Sequence, residues 1–194
     1  MTQTRPSWEP PFAASPTEHL VAALDRQRAT FRWKADGLDA DGLALRIGAS
    51  ALTIGGLLKH LTRVEEVHWT WKLDGSAPIE PWRSHDWDAD PDWDFESAVQ
   101  DRPEELYAAY DAAVARSQAI LARAVADGGL EQNTDWGRRN DIELSVGRLV
   151  ADLLEEYGRH TGHADLLREA VDGRVGEDPP SDWEPAYRTQ PSTT

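Results

Sequence analysis

The sequence predicts an all-α protein, a four-helix bundle, from three observations. Four segments repeat apolar residues at the three- and four-residue spacing of amphipathic helices. Residues that cap or break helices bound these segments. No segment alternates apolar and polar residues over the length of a strand. The chain has 194 residues, of which 40% are hydrophobic, enough for one domain with a hydrophobic core.

The first predicted helix covers residues 16–37, with Ser15 as its cap and Pro16 in its first turn. A loop over residues 38–50 separates it from the second predicted helix, which covers residues 53–74. Both segments carry apolar stripes at helical spacing. These include Leu20, Ala23, Leu24 and Phe31 in the first helix, and Ile54, Leu57, Leu61 and Val64 in the second.

The third predicted helix covers residues 103–128 and begins at a proline. The fourth covers residues 144–173 and ends at a glycine. Two loops, residues 75–100 and 130–142, connect these helices to the rest of the chain. We therefore expect three parts, namely an irregular arm over 1–15, the bundle over 16–173 and an irregular tail over 174–194.

Composition excludes several classes of function. The chain has 35 acidic and 20 basic residues and a formal charge of -15. This charge argues against nucleic acid and against anionic membrane surfaces. No apolar run approaches the length of a membrane span, and the N-terminal residues lack the apolar core of a secretory signal. The chain has no cysteine, so a thiol nucleophile cannot come from the protein. We expect a cytoplasmic protein.

The fourth predicted helix places titratable residues on two different faces. At about 100° per residue, Glu156, His160 and His163 share a stripe with leucines, namely Leu149, Leu153 and Leu167. Glu155 shares its stripe with charged residues, namely Arg148, Asp152 and Arg159. We therefore expect Glu156 to face the interior and Glu155 to face solvent. A lone buried carboxylate is costly unless it is paired or binds a metal.

His60 lies on an apolar stripe of the second predicted helix, with Leu57 and Val64 as neighbours. Two inward histidines and one inward glutamate from two helices can meet inside a bundle. Such a set can hold Zn²⁺ or Fe²⁺ with open coordination positions. Two other interpretations stay open. A histidine on an apolar face is often a hydrogen-bonded core residue, and Glu and His four residues apart also pair along a helix.

The chain resembles the DinB-like superfamily, and within it actinobacterial mycothiol-dependent S-transferases and maleylpyruvate isomerases. The stretches "LTIGGLLKHLTRVE" and "EEYGRHTGHADLLREAVDG" carry the resemblance, which extends over residues 15–173. It implies a bundle of up-down-down-up order with long crossover loops. The family's metal ligands map onto His60, Glu156 and His160. The resemblance places His163 beside the metal as a supporting residue, although ligation by two residues three apart stays open.

The resemblance also implies a reaction. A thiol bound to the metal is strongly acidified, and this thiol would be a small cosubstrate, with mycothiol the implied one. Its sulfur would be transferred to an electrophile or would assist an isomerisation. The expected metal is Zn²⁺, although a nitrogen and oxygen donor set also accepts Ni²⁺ and Fe²⁺. The expected partners are a small-molecule thiol, an electrophile and a second copy of the chain in a homodimer.

Three arginines are candidates for contacts with an anionic part of a substrate or of the thiol, namely Arg46, Arg138 and Arg139. The alternative for each is a surface salt bridge. Two other functions would use the same metal ligands. One is a non-catalytic metal-binding bundle of the stress-response kind, and the other is a metal-dependent hydrolase that activates bound water.

The run "DWDADPDWD" over residues 86–94 alternates aspartates, as calcium loops do. It lacks the glycine and glutamate positions that such loops need, so we interpret it as a solvated acidic loop. As a lid over the bundle it could contribute to substrate choice. His68 and His85 have no partner pattern and are expected in surface or loop positions, and His19 is expected to be structural.

Overall fold

The computed structural model describes residues 5–189 and shows an all-α protein, as predicted. The long helices are α1 (Pro16–Ala35), α3 (Ile54–Glu65), α5 (Pro103–Gly128) and α7 (Val146–Asp172). The short helices are α2 (Ala40–Ala44), α4 (Trp93–Glu96), α6 (Asp135–Arg139) and α8 (Ala186–Thr189). A π-helical stretch (Glu66–Leu73) continues α3, and a 3₁₀ turn (Ser97–Gln100) continues α4. Within the described residues the β-structure is one isolated bridge between Asn133 and Ser145.

Local capping explains where the long helices begin and end. Ser15 accepts a hydrogen bond from the backbone N–H of Glu18, whose side chain bonds back to the Ser15 N–H. This capping box satisfies two amides at the start of α1. The Ser145 hydroxyl caps α7 by accepting a hydrogen bond from the Arg148 N–H. Gly173 ends α7 in the left-handed conformation, with φ of 78°, which favours glycine.

The four long helices enclose one hydrophobic core. α1 packs along α7, α3 packs along α5, and α3 also contacts α7. The core is rich in leucine and includes Leu24, Phe31, Leu57, Leu61, Val114, Leu149 and Leu153. Since α3 and α7 are neighbours, residues on their facing sides can form a common site. The up-down-down-up order stays a prediction.

A buried ion pair crosses this core close to the facing sides of α3 and α7. Arg28 donates two hydrogen bonds to Glu65, at 2.7 and 2.8 Å, and both side chains are fully buried. The Tyr157 hydroxyl donates to Glu65 at 2.7 Å, and the Tyr110 hydroxyl lies 3.0 Å from that of Tyr157. A buried pair with this many hydrogen bonds tolerates the loss of neither partner. The hydrogen bond from Tyr157 to Glu65 fixes the rotation of α7 about its own axis.

The loops predicted from the sequence are more helical than expected. α2 lies within the predicted loop 38–50, α4 and the 3₁₀ turn lie within 75–100, and α6 lies within 130–142. Side-chain caps explain two of these differences. Asp39 accepts from the Gly42 N–H, and Thr134 accepts from the Gly137 N–H, so each short helix begins at a satisfied N-terminus.

The C-terminal tail was expected to be irregular, and the structure has the short helix α8 within it. Tyr187 anchors α8 because its side chain belongs to the hydrophobic core and is 4% exposed. Residues 1–4 of the predicted arm and 190–194 of the predicted tail lie outside the described residues. None of the helices in the described part of the chain is both long enough and apolar enough to cross a membrane.

Candidate metal centre

The structure brings together the three predicted ligands, one from α3 and two from α7. His60, Glu156 and His160 each offer an atom that could bind a metal, and these atoms all lie within 4.8 Å of one another. Nε2 of His60 is 3.6 Å from Oε1 of Glu156, and Nε2 of His160 is 4.0 Å from Oε2. The three donors therefore converge on one volume.

Adjacent glutamates of α7 take different positions, as helical phase predicts. The side chain of Glu155 is 71% exposed and pairs with Arg159 at 2.7 Å. The side chain of Glu156 is 29% exposed. Consecutive residues of a helix point about 100° apart. Glu155 therefore forms a surface ion pair, whereas the carboxylate of Glu156 faces the two histidines.

The ring of His60 is held from two sides. Its Nδ1–H donates to Oδ2 of Asp94 at 3.0 Å. Phe95 stacks on the ring, with centroids 4.3 Å apart and an interplanar angle of 20°. Because Nδ1 carries the proton in this hydrogen bond, neutral His60 offers the lone pair of Nε2 towards Glu156.

Asp94 is a residue of the site that sequence reasoning missed. Its side chain is 1% exposed and lies 3.3 Å from Nη1 of Arg63. Burial raises the pKa of this carboxyl, but the hydrogen bond from His60 and the charge of Arg63 outweigh burial and lower its pKa. In the sequence, Asp94 is one of the alternating aspartates of the acidic run, and no pattern distinguishes it from the others. The run was wrongly interpreted as wholly solvated.

His160 is the more buried of the two imidazoles. Burial, together with the nearby charges of His60 and His163, lowers its pKa to about 4. The ring is therefore neutral near pH 7, which is the form that binds metals. Nδ1 of His160 lies 3.3 Å from Nδ1 of His163. His163 therefore contacts His160 at Nδ1 of the His160 ring, whereas Nε2 of that ring faces Glu156.

The predicted acidic loop is built around an aromatic cluster of Trp82, Trp87, Trp93 and His85. The His85 ring stacks on Trp93 with centroids 4.5 Å apart, and Trp82 is buried. His85 is therefore part of a packed cluster as well as of a loop. Asp86, Asp88 and Asp92 are exposed, so the description as a solvated loop holds for these aspartates.

The arginines predicted to contact an anion lie in two separate regions. Arg46 lines a cavity of about 220 Å³ together with Thr53, Phe95 and Glu96. One residue of this lining, Phe95, also stacks on His60. Arg138 and Arg139 are exposed on α6 and lie within 4.0 Å of Asp135. The structure does not bring these two together with the three candidate ligands.

A separate apolar groove has His163 in its wall. Its volume is about 520 Å³, and its walls come from residues 47–52 and from the second half of α7. The wall residues are Ile47, Ser50, Leu52, His163, Leu166, Leu167, Glu169 and Ala170. The side chain of Leu166 is left 64% exposed, and Glu169 contributes a carboxylate to this wall.

His19 and His68 take structural positions. Nε2 of His19 lies 3.1 Å from the carbonyl of Pro11, which ties the N-terminal arm to α1. His68 was expected in a surface or loop position, and this was wrong, because it lies in the π-helical stretch and is partly buried. Its Nδ1–H donates to the Val64 carbonyl at 2.8 Å. Burial and the charge of Lys72 lower the pKa of His68 to about 4.

The chain is similar to a known protein family. A family model described as mycothiol-S-transferase matches residues 19–173 of the chain. The matched span includes all three candidate ligands, together with Asp94 and His163. Among curated proteins, none matches the chain significantly.

Proposed function

Because the chain belongs to the mycothiol-S-transferase family, we propose that it is a metal-dependent enzyme that activates mycothiol for S-transfer to an electrophile. The observation that carries the proposal is the convergence of His60, Glu156 and His160 within 4.8 Å. The chain has no cysteine, so a sulfur nucleophile must come from a cosubstrate.

The donor set fits a divalent metal. Two imidazoles and one carboxylate form a three-ligand set that Zn²⁺ accepts, as do Ni²⁺ and Fe²⁺. Burial keeps His160 neutral near pH 7, and the hydrogen bond to Asp94 aims Nε2 of His60 towards Glu156. We propose Zn²⁺ as the resident metal. Three protein ligands leave a coordination position open.

The residues around the three ligands would hold and orient them. A bound metal would supply Lewis acidity, which lowers the pKa of a coordinated thiol towards neutrality. When His160 offers Nε2 as a ligand, its Nδ1 carries the proton and can donate to Nδ1 of His163. His163 would therefore position the His160 ring. Phe95 covers one face of the His60 ring and limits access of water from that side.

Two spaces beside the centre suit a reaction of two substrates. The cavity lined by Arg46 and Phe95 also contains Thr53 and Glu96, so we place the polar sugar and inositol part of mycothiol there. Arg46 has no ion-pair or hydrogen-bond partner among the described residues and is free for such a contact. The apolar groove at His163 would receive the electrophile. In the transfer, a sulfur–carbon bond forms, the leaving group departs with its electron pair, and the thiol proton passes to solvent.

Two measurements test the proposal. Metal analysis of the purified protein, after expression with zinc supplied, should find about one metal per chain, and His60→Ala should remove it. The matched control is His19→Ala, which changes a histidine away from the centre. Mycothiol consumption with 1-chloro-2,4-dinitrobenzene should then depend on the bound metal. Metal binding without thiol turnover would favour a non-catalytic metal-binding bundle, and ester hydrolysis without thiol would favour a hydrolase.

A further inference from the structure

We propose that Asp94 is the positioning residue of the candidate metal centre, and that the segment of residues 82–95 is built to bring its carboxylate to His60. We call these residues the tryptophan segment. The inference rests on the metal binding that the proposed function includes, and it does not depend on the thiol reaction. Metal binding alone can therefore test it.

The geometry singles out Asp94 among the aspartates of its run. Its side chain is 1% exposed and accepts from Nδ1–H of His60 at 3.0 Å. Asp88 and Asp92, by contrast, are exposed. A buried carboxylate is costly unless charged or polar groups compensate for its lost hydration. Here the compensating groups are His60 and Arg63. Both lie on α3, so the Asp94 carboxylate is held against the face of α3 that carries the candidate ligand His60.

Two cation–π contacts hold the tryptophan segment on this face of α3. The Lys59 ammonium lies 4.4 Å from the centroid of the Trp93 ring. The Arg63 guanidinium lies 3.6 Å from the centroid of the Trp87 ring. Cation–π contacts of this kind are each worth about 0.5–2 kcal/mol. They lie on either side of His60 along α3, so they fix the segment at the point where Asp94 meets the imidazole.

The carboxylate does two things for the imidazole. As an acceptor at Nδ1 it selects the tautomer with the proton on Nδ1, which leaves the lone pair on Nε2, the atom that faces Glu156. It also fixes the rotation of the ring about the side chain. Removing such a carboxylate behind a histidine ligand lowers metal affinity about 10- to 100-fold.

The decisive variant is Asp94→Asn, which keeps the shape of the side chain and removes the charge. Its zinc affinity, measured by competition with a chromophoric chelator and without thiol, should be about 10- to 100-fold weaker than wild type. The matched control is Asp92→Asn, which removes an exposed carboxylate from the same run and should leave zinc affinity unchanged. Equal zinc affinity in Asp94→Asn and wild type would overturn the inference.

A second measurement separates positioning from a general loss of packing. In the metal-free protein, ¹⁵N shifts of the His60 ring should report the Nδ1–H tautomer in wild type and a mixture of tautomers in Asp94→Asn. If Asp94→Asn does not fold, the wild-type spectrum still decides, since an Nε2–H tautomer would overturn the inference. A lower melting temperature with unchanged zinc affinity would also overturn it, because Asp94 would then be structural only.

The outcomes for the two proposals differ. Zinc binding that weakens in Asp94→Asn, in a protein without thiol turnover, would remove the S-transfer proposal and support the role of Asp94. Thiol turnover in the wild type, together with equal zinc affinity in Asp94→Asn and wild type, would support the S-transfer proposal and overturn the role of Asp94. A wild-type protein that binds no zinc would overturn both.

Discussion

Nε2 of His60 on α3 lies 3.6 Å from Oε1 of Glu156 on α7. A neutral imidazole nitrogen and a carboxylate oxygen at this separation make a poor direct hydrogen bond. A cation between them would satisfy both lone pairs, and His160 adds a third donor within 4.8 Å.

The two adjacent glutamates of α7 form a matched pair. Glu156→Gln should weaken zinc binding by at least about tenfold, because it removes the one anionic donor of the set. Glu155→Gln should leave zinc binding unchanged, because Glu155 pairs with Arg159 on the surface. Chelator competition measures both. Similar zinc affinities for the two variants would contradict the assignment of Glu156 as a ligand.

The apolar groove predicts a selective effect on the electrophile. Leu166→Asp should lower kcat/KM for 1-chloro-2,4-dinitrobenzene about tenfold with the KM for mycothiol unchanged, because it puts a charge in the groove wall. The control is Ile142→Asp, since Ile142 is also exposed, at 46%, and precedes α7 at its far end. An equal loss in both variants would show that the groove has no special part in the reaction.

His68 predicts a dependence of stability on pH. Its pKa is lowered to about 4 from about 6.5 in the unfolded chain. Between these values the unfolded state binds more protons, so stability is lost as pH falls through this window and is fully present above it. Between pH 7 and pH 5, wild type should lose about 2 kcal/mol more than His68→Gln. Urea unfolding at the two pH values gives the comparison, and equal losses would show that His68 does not contribute.

The buried Arg28–Glu65 pair predicts a large stability effect without a direct role in chemistry. Glu65→Ala should destabilise the protein by about 3–5 kcal/mol, because Arg28 is left as an uncompensated buried charge. Tyr157→Phe should cost less, about 1–2 kcal/mol, since it removes one hydrogen bond to Glu65. Thermal and urea unfolding measure both values. A change of less than about 1 kcal/mol in Glu65→Ala would mean that the pair is not needed for stability.

Much of the centre could be predicted from local pattern. Helical phase alone separated Glu156 from Glu155, because the side chains of neighbouring residues point about 100° apart. The same periodicity placed His60 on an inward stripe. Ser15 located the start of α1 and Gly173 located the end of α7. These features depend on residues a few positions apart, which the sequence shows directly.

Asp94 could not be found in this way. The run 86–94 has the composition of a solvated loop, and that description holds for Asp88 and Asp92. Whether one aspartate of the run is buried depends on contacts with α3, such as that between Arg63 and Trp87. No periodicity connects a loop to a distant helix, so sequence pattern had no means to select Asp94.

The sequence by itself therefore determined the all-α class, the inward faces of α3 and α7 at the centre, and the grouping of His60, Glu156 and His160. The tertiary structure decided which loop residue contacts this set, and it placed Arg46 in a cavity that Phe95 also lines, apart from Arg138 and Arg139 on α6. The physical reason is the range of the interactions. Helix phase and capping are local, whereas burial of a charge depends on which partners the packing of distant segments brings within hydrogen-bond distance.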